Sequence, residues 1–302
     1  MSTRPTTPLR ILLATDDSPA ARTGEQWIAR LRWASAPIVD VVCVAGRGMA
    51  RLGWGLATDR ETLRQARDTI REGERIEAER IANEVGERLQ NAGFTVHTLA
   101  RQGDSAEQIL ATIESERPDL VVMGPRGRSA LAQAILGSVT QQVIADGVDP
   151  VLVARVPESA DGPLPSRILL VVDGSLDARA AIERLLDLGW TNGALVTVLG
   201  LLGERSSLGA GPAELSEEVQ RTVREDATAT IDHLIRPLVD AGVDVDVLLR
   251  DGQPLERTLD AASTLGVDVV VVTRSARRRG RDLFAEKVAR HAPVSVLIVT
   301  AL

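Results

Sequence analysis

The chain is written twice, and this constrains its fold more than any other feature. "RILLATDDSPAAR" (Arg10–Arg22) returns as "RILLVVDGSLDAR" (Arg167–Arg179), 157 residues further on. "AGFTVHTLARQGDSAEQIL" (Ala92–Leu110) returns as "AGVDVDVLLRDGQPLERTL" (Ala241–Leu259) at an offset of 149, with Gly93 facing Gly242 and Gly103 facing Gly252. "PDLVVM" matches "VDVVVV" at the same offset, and "DPVLVA" matches "VSVLIV" at 145. A period near 150 is a duplicated domain rather than a solenoid unit. The 302 residues hold two domains of ordinary size. Between the copies, "VPESADGPLPS" (156–166) has linker chemistry, with three prolines, a glycine and polar residues. The expected domains are 1–155 and 167–302.

Within each copy, short apolar runs alternate with longer amphipathic ones. Ile11–Thr15 and Ile168–Val172, short runs closed by Asp16 and by Asp173-Gly174, read as buried parallel strands. Each is followed by a helix ("SPAARTGEQWIARLRWA"; "SLDARAAIERLLDLG") and a second strand, near Ile38–Ala45 or Ala194–Leu201. A long charged helix comes next, over Arg60–Asn91 or Pro212–Ala241. A third strand and helix, a fourth strand (Leu120–Met123; Val269–Thr273), a loop, a fourth helix and a fifth strand complete the unit. The fold class is therefore α/β: two tandem five-stranded parallel-sheet domains, Rossmann-like, with helices on both faces and right-handed crossovers. Ligands of such sheets bind beyond the carboxyl ends of the strands, where strand order reverses.

Composition narrows the function. The net charge of −7 and a pI near 5.2 weigh against nucleic acid as a partner, because a phosphate backbone rewards a basic face. Lys287 is the sole lysine, which leaves no lysine-bearing phosphate loop. Cys43 is the sole cysteine, so no intrachain disulfide forms, and its apolar context reads as core. The first ten residues hold no apolar signal core, and no apolar run approaches the ~18 residues of a membrane span. These features fit a cytoplasmic protein.

"MGPRGRSALAQAILGSV" (Met123–Val139) starts where strand four ends. Gly124 and Gly127 allow a tight turn and close backbone approach to a ligand. Gly137 and Ser138 open the fourth helix; Ser138 reads as its N-cap, with Gln141 completing a capping box. A helix amino terminus with a hydroxyl beside it suits an anion, so the segment reads as a phosphate cradle. A rival glycine pattern, "GRGMARLG" (Gly46–Gly53), has Arg51 where a dinucleotide fingerprint needs its third glycine, and reads as a loop. Each feature also has a plain structural explanation: Asp16 as a helix cap, the glycines as a turn, Ser138 as a cap only.

The pattern G-x2-G-x9-G-[ST] after strand four, together with "TDDS" and "VDGS" closing the two first strands, resembles the universal stress protein family in its tandem form. The resemblance covers nearly the whole chain. It implies ATP binding and a regulatory role in the stress response; Mg²⁺ is an optional companion ion that the acid Asp16 could hold. It places Asp16 near adenine and ribose, Val44 and Met123 against adenine, and Gly124, Gly127, Gly137, Ser138 and Val139 around the phosphates; Arg128 belongs to the same loop. Asp17 stands where the family often has glycine, and Ser18 keeps its place as a cap for the first helix. The resemblance also implies that the fifth strands pair, making a pseudo-dimer within one chain, with further association of two chains open.

The second copy of the loop, "TRSARRRGRDLFAEKV", is four residues shorter. Gly124 maps to Thr273, Gly137 to Asp282 and Ser138 to Leu283, which puts a carboxylate at the phosphate position and removes the hydroxyl. Asp173 remains, but an acid alone is not a site, so the second copy is expected not to bind ATP in the usual way. Its arginines, Arg274, Arg277, Arg278, Arg279 and Arg281, read as a solvated loop, with an anion or partner site as the sharper alternative. The segment from Gly46 to Arg60, with Met49, Leu52, Trp54 and Leu56, reads as a lid or a contact surface.

No catalytic constellation is legible. His97, His233 and His291 lie in unlike contexts, His97 on a strand and His291 near a helix end, without metal-ligand spacing. Slow ATP hydrolysis, with Asp16 holding Mg²⁺, is the most the residues support, since no base for a water is in sight. Two rival functions come from other classes. An adenylating enzyme would need a glycine-rich S-G-G-x-D-S loop, which "ATDDSPA" lacks. A ligand-free interaction module would leave the first copy's intact motif without a purpose.

Overall fold

The computed structural model describes residues 8–33, 35–46, 60–127, 136–146, 148–157, 162–172, 178–202, 217–275 and 283–301. The first repeat runs β1 (Arg10–Ala14), α1 (Arg22–Arg30), β2 (Ile38–Gly46), α2 (Arg60–Asn91), β3 (Thr95–Gly103), α3 (Ser105–Glu116), β4 (Leu120–Met123), α4 (Ser138–Ala145) and β5 (Val151–Val153). The second runs β6 (Arg167–Val172), α5 (Ala178–Leu188), β7 (Leu195–Leu202), α6 (Glu217–Leu234), α7 (Arg236–Asp240), β8 (Asp244–Asp251), α8 (Pro254–Leu265), β9 (Val269–Ser275), α9 (Leu283–His291) and β10 (Ser295–Ala301).

All strands share one ten-stranded sheet, ordered β3-β2-β1-β4-β5-β10-β9-β6-β7-β8. Within each repeat the pairs are parallel. At the centre β5 meets β10 antiparallel, with Leu152 opposite Leu297. Side chains alternate across the pleat. Ile11 and Leu13 join a core on one face, Leu12 and Ala14 a core on the other, and both cores draw residues from both repeats. Burial on two faces explains why these strands are continuously apolar. In each repeat β1 or β6 lies between the second and fourth strands, so strand order reverses at β1/β4 and at β6/β9.

The duplication extends to polar details. The Asp119 carboxylate accepts from the Arg10 N–H (2.8 Å), and Asp268, its counterpart, accepts from the Ser166 and Arg167 N–H groups (2.7 and 3.1 Å). Each acid fastens the start of a fourth strand to the start of a first.

Three expectations need correction. The long helix of the second repeat is two helices, α6 and α7, because Pro237 lacks an N–H and its ring crowds the preceding turn. Arg274 is not in a solvated loop. It lies in β9 and is 7% exposed, because β9 continues as strand two residues past Thr273. The Ser138 cap, the third, belongs to the site below. Between the repeats Leu164 is fully buried, and bonds to Arg30 O (2.8 Å) and from Arg32 N (3.2 Å) draw it alongside the end of α1. Arg277, Arg278, Arg279, Arg281, Asp282 and Asp173 lie outside the described residues, as do residues 47–59. No helix among the described residues is long and apolar enough to cross a membrane.

Candidate functional site

At the carboxyl ends of β1 and β4 a cleft of about 100 Å³ opens at the switch point. Six of the nine expected residues line it: Asp16, Val44, Met123, Gly124, Gly127 and Val139. Gly137 and Ser138 stand beside it, and Arg128 lies outside the described residues.

β1 delivers Asp16 through a tight turn. The Asp16 carboxylate accepts from the Ser18 N–H (3.1 Å), and the next residue, Asp17, sits in the left-handed region at φ 56°. That conformation favours glycine and is tolerated by aspartate, which accounts for the departure at Asp17. Ser18 Oγ accepts from the Ala21 N–H (3.2 Å), so its capping acts on the turn that leads into α1.

The two loop glycines do different work. A Cβ on Gly124 would stand 2.4 Å from the Ala20 carbonyl oxygen, so this glycine lets the end of β4 lie against the backbone before α1. A Cβ on Gly127 would stand 2.5 Å from Asp16 Oδ2, so this glycine makes room for the acid. Across the loop, the Gly137 N–H donates to Pro125 O (2.7 Å), bringing the two glycine ends of the motif together. Thr140, buried in the first turn of α4, donates to Gly124 O (3.0 Å) and ties that helix to β4.

Ser138 is not the N-cap. Gly137 is, with extended backbone (φ −68°, ψ 153°), and its carbonyl accepts the first helical bond, from the Gln141 N–H at 2.9 Å. Ser138 is therefore the first residue of α4 and exposed at the loop, and among the described residues no side chain caps the helix. The first N–H groups of α4 thus remain available to a ligand at this end.

Sequence reading missed Thr15, Arg126, Thr140, Ser105 and Ile109, which also line the cleft. Arg126 sat in plain view inside the glycine pattern. Ser105 and Ile109 come from α3, whose start is set by Asp104: its carboxylate accepts from the Ala106 and Glu107 N–H groups (3.1 and 3.2 Å). The packing of α3 against β2, β3 and α4 brings them in.

The lining combines an apolar wall, with Val44, Met123 and Ile109, an acid, Asp16, that can accept from hydroxyls, and Arg126 Nε, buried and without an acceptor among the described residues. Among the described residues no group of three or more His, Cys, Asp or Glu side chains could hold a metal by itself. In the second repeat the equivalent space is used differently. Thr273, Arg274 and Ser275 remain paired with Val299, Thr300 and Ala301 of β10, where the first repeat leaves the sheet at Gly124.

Fold and site together define a tandem pair of doubly wound α/β units with a cleft at the first switch point. The chain belongs to the universal stress protein family, whose model matches residues 9–155 and again 165–300. Universal stress protein MJ0577 of Methanocaldococcus jannaschii is 26% identical over 152 residues, covering 48% of this chain and 94% of that protein. Universal stress protein Rv1996 of Mycobacterium tuberculosis is 28% identical over 193 residues, covering 60% of this chain and 59% of its own. A universal stress protein from Archaeoglobus fulgidus shares the fold over 97% of this chain and 98% of its own, with a TM-score of 0.71 at 19% identity.

Proposed function

We propose that the first repeat binds ATP in this cleft, and that the protein is a regulator of the stress response whose state follows ATP occupancy. The observation that carries the reading is the convergence of Asp16, Val44, Met123, Gly124, Gly127 and Val139 on one cleft at the β1/β4 switch point. In this reading adenine lies against Val44 and Met123 and Asp16 accepts from the ribose. The phosphates, with or without Mg²⁺, run along Gly124–Gly127 toward the first N–H groups of α4. The second repeat is silent, because β9 runs on as strand where a phosphate loop would start.

The test is the nucleotide content of protein purified without added nucleotide, denatured and resolved by anion exchange. Gly127→Ala serves as the control, because its methyl group displaces Asp16 and, among the described residues, touches no backbone within 4 Å beyond the adjoining ones. About one ATP per chain, lost in the variant, is expected. Two per chain would overturn the silent second repeat. ADP or AMP in place of ATP would favour a slow ATPase. No nucleotide, and no heat on titration with Mg·ATP, would leave a ligand-free interaction module.

A further inference from the structure

The middle of α2 reads the same in both directions. Ile70-Arg71-Glu72-Gly73-Glu74-Arg75-Ile76 is a palindrome centred on Gly73. The buried side of this helix is elsewhere: Ala78, Ala82, Val85 and Leu89 pack into the core. At 3.6 residues per turn Gly73 falls on the side away from them, with Ile70 and Ile76 within about 60° of it. All three are exposed, Ile70 by 36% and Ile76 by 54%.

A glycine inside a helix destabilises it relative to alanine, so its presence calls for a reason. Gly86, in the same helix, has one: a Cβ there would stand 2.7 Å from Thr98 Cγ2 on β3. A Cβ on Gly73 would meet none of the described residues within 4 Å. The open space lies on the outer surface of α2, where a second helix can come close when no side chain intervenes.

In a two-fold contact, if residue i meets residue j, then j meets i. Two copies of α2 crossing antiparallel at Gly73 satisfy this. Ile70 of each copy lies over Ile76 of the other, and the paired glycines let the backbones approach. Charge favours the same arrangement. Residues 62–71 hold Arg64, Arg67 and Arg71 against Asp68, whereas 75–84 hold Glu77, Glu79 and Glu84 against Arg75 and Arg80. Antiparallel copies set the net positive stretch of one beside the net negative stretch of the other; parallel copies set like beside like. The second repeat lacks the pattern. At the 149-residue offset its counterparts of Ile70, Gly73 and Ile76 are Val219, Thr222 and Glu225.

We propose that the outer face of α2 around Gly73 is a self-association surface, through which two copies of this chain pair antiparallel into a dimer. The proposal does not rest on the nucleotide reading. An isologous contact closes at two chains, and one helix pair is a small interface, so the dimer is concentration-dependent.

Sedimentation velocity on the full chain from about 1 to 200 μM, a range that brackets weak association, is expected to show monomer passing into dimer. Gly73→Leu fills the open space with a good helix former. It should weaken the dimer at least about ten-fold, while the melting temperature at the lowest concentration holds or rises. Ile76→Glu should weaken it about ten- to a hundred-fold. Gly73→Cys should give a disulfide-linked dimer under mild oxidation, because the two-fold brings these positions together, and Thr222→Cys in the second repeat should not. A monomer throughout the range overturns the proposal. So does a dimer of unchanged affinity in Gly73→Leu and Ile76→Glu, which would place the contact elsewhere. Equal crosslinking at the two cysteine positions overturns it as well.

Discussion

Gly124 and Gly127 look interchangeable in the sequence, three positions apart in one motif, but their surroundings give them opposite sensitivities. Gly124 faces backbone that cannot move without shifting α1. Gly127 faces the tip of a single carboxylate. Gly124→Ala is therefore expected to destabilise the protein by about 1–3 kcal/mol through overpacking, measured as a fall in urea midpoint. Gly127→Ala should unfold within about 1 kcal/mol of the parent while losing nucleotide. Equal loss of stability in the two variants would contradict this division. Both positions were legible as glycines with a purpose. Which purpose was not, because the partner of one lies in the turn before α1 and the partner of the other is a side chain at the end of β1.

Elements are joined by charges as well as by apolar faces. The Asp17 carboxylate takes both guanidinium N–H groups of Arg22 on α1 (3.0 Å each) and one of Arg88 at the end of α2 (2.7 Å). Arg88 also reaches Glu25 (2.8 Å), so α1, α2 and the turn after β1 share one network. Arg22 first, and then Arg88, hold the Asp17 carboxyl below its ordinary value of 3.8. A lowered acid contributes stability above that value, and the contribution fades as pH falls through the folded value. Asp17→Asn keeps the left-handed turn and removes the charge. It should lower the melting temperature at neutral pH and flatten the decline seen below pH 3.8. A parallel acid slope in parent and variant would show that the network adds nothing. At this scale hydrophobic pattern placed nearly every element, and α2 spans the expected residues, Arg60–Asn91. The misses have local causes: Pro237 divides α6 from α7, and Gly137 takes the cap that Ser138 seemed suited for.

The whole molecule is held at its middle by two arginines with matching tasks. Arg155, after β5, donates to Ala289 O near the end of α9. Arg274, on β9, donates to Ile144 O near the end of α4, to Val148 O (3.5 Å) and to Thr300 Oγ1 (2.9 Å). Ile144 and Ala289 are counterparts at the 145-residue offset. Each repeat thus places a cation at the carboxyl end of the other's last helix, where free carbonyls and the helix dipole favour it. Arg274→Met keeps most of the volume and removes the charged donor that Ile144 O, Val148 O and Thr300 Oγ1 share. The expected cost is about 1–3 kcal/mol, read from urea unfolding; unchanged stability would mean that the β5/β10 pair and the two cores hold the seam alone. Sequence alone determined what depends on neighbours along the chain: the duplication, the strand and helix order, the carboxyl-edge loop and the acid that faces it. The tertiary structure decided what depends on groups far apart in sequence. It turned Arg274 from a loop charge into a clamp whose donor and acceptor residues stand 130 apart, and it left Arg126 Nε buried without an acceptor among the described residues. Periodicity records which side of an element is buried. It carries no record of what that side will meet, because the meeting is set by how the sheet orders its strands.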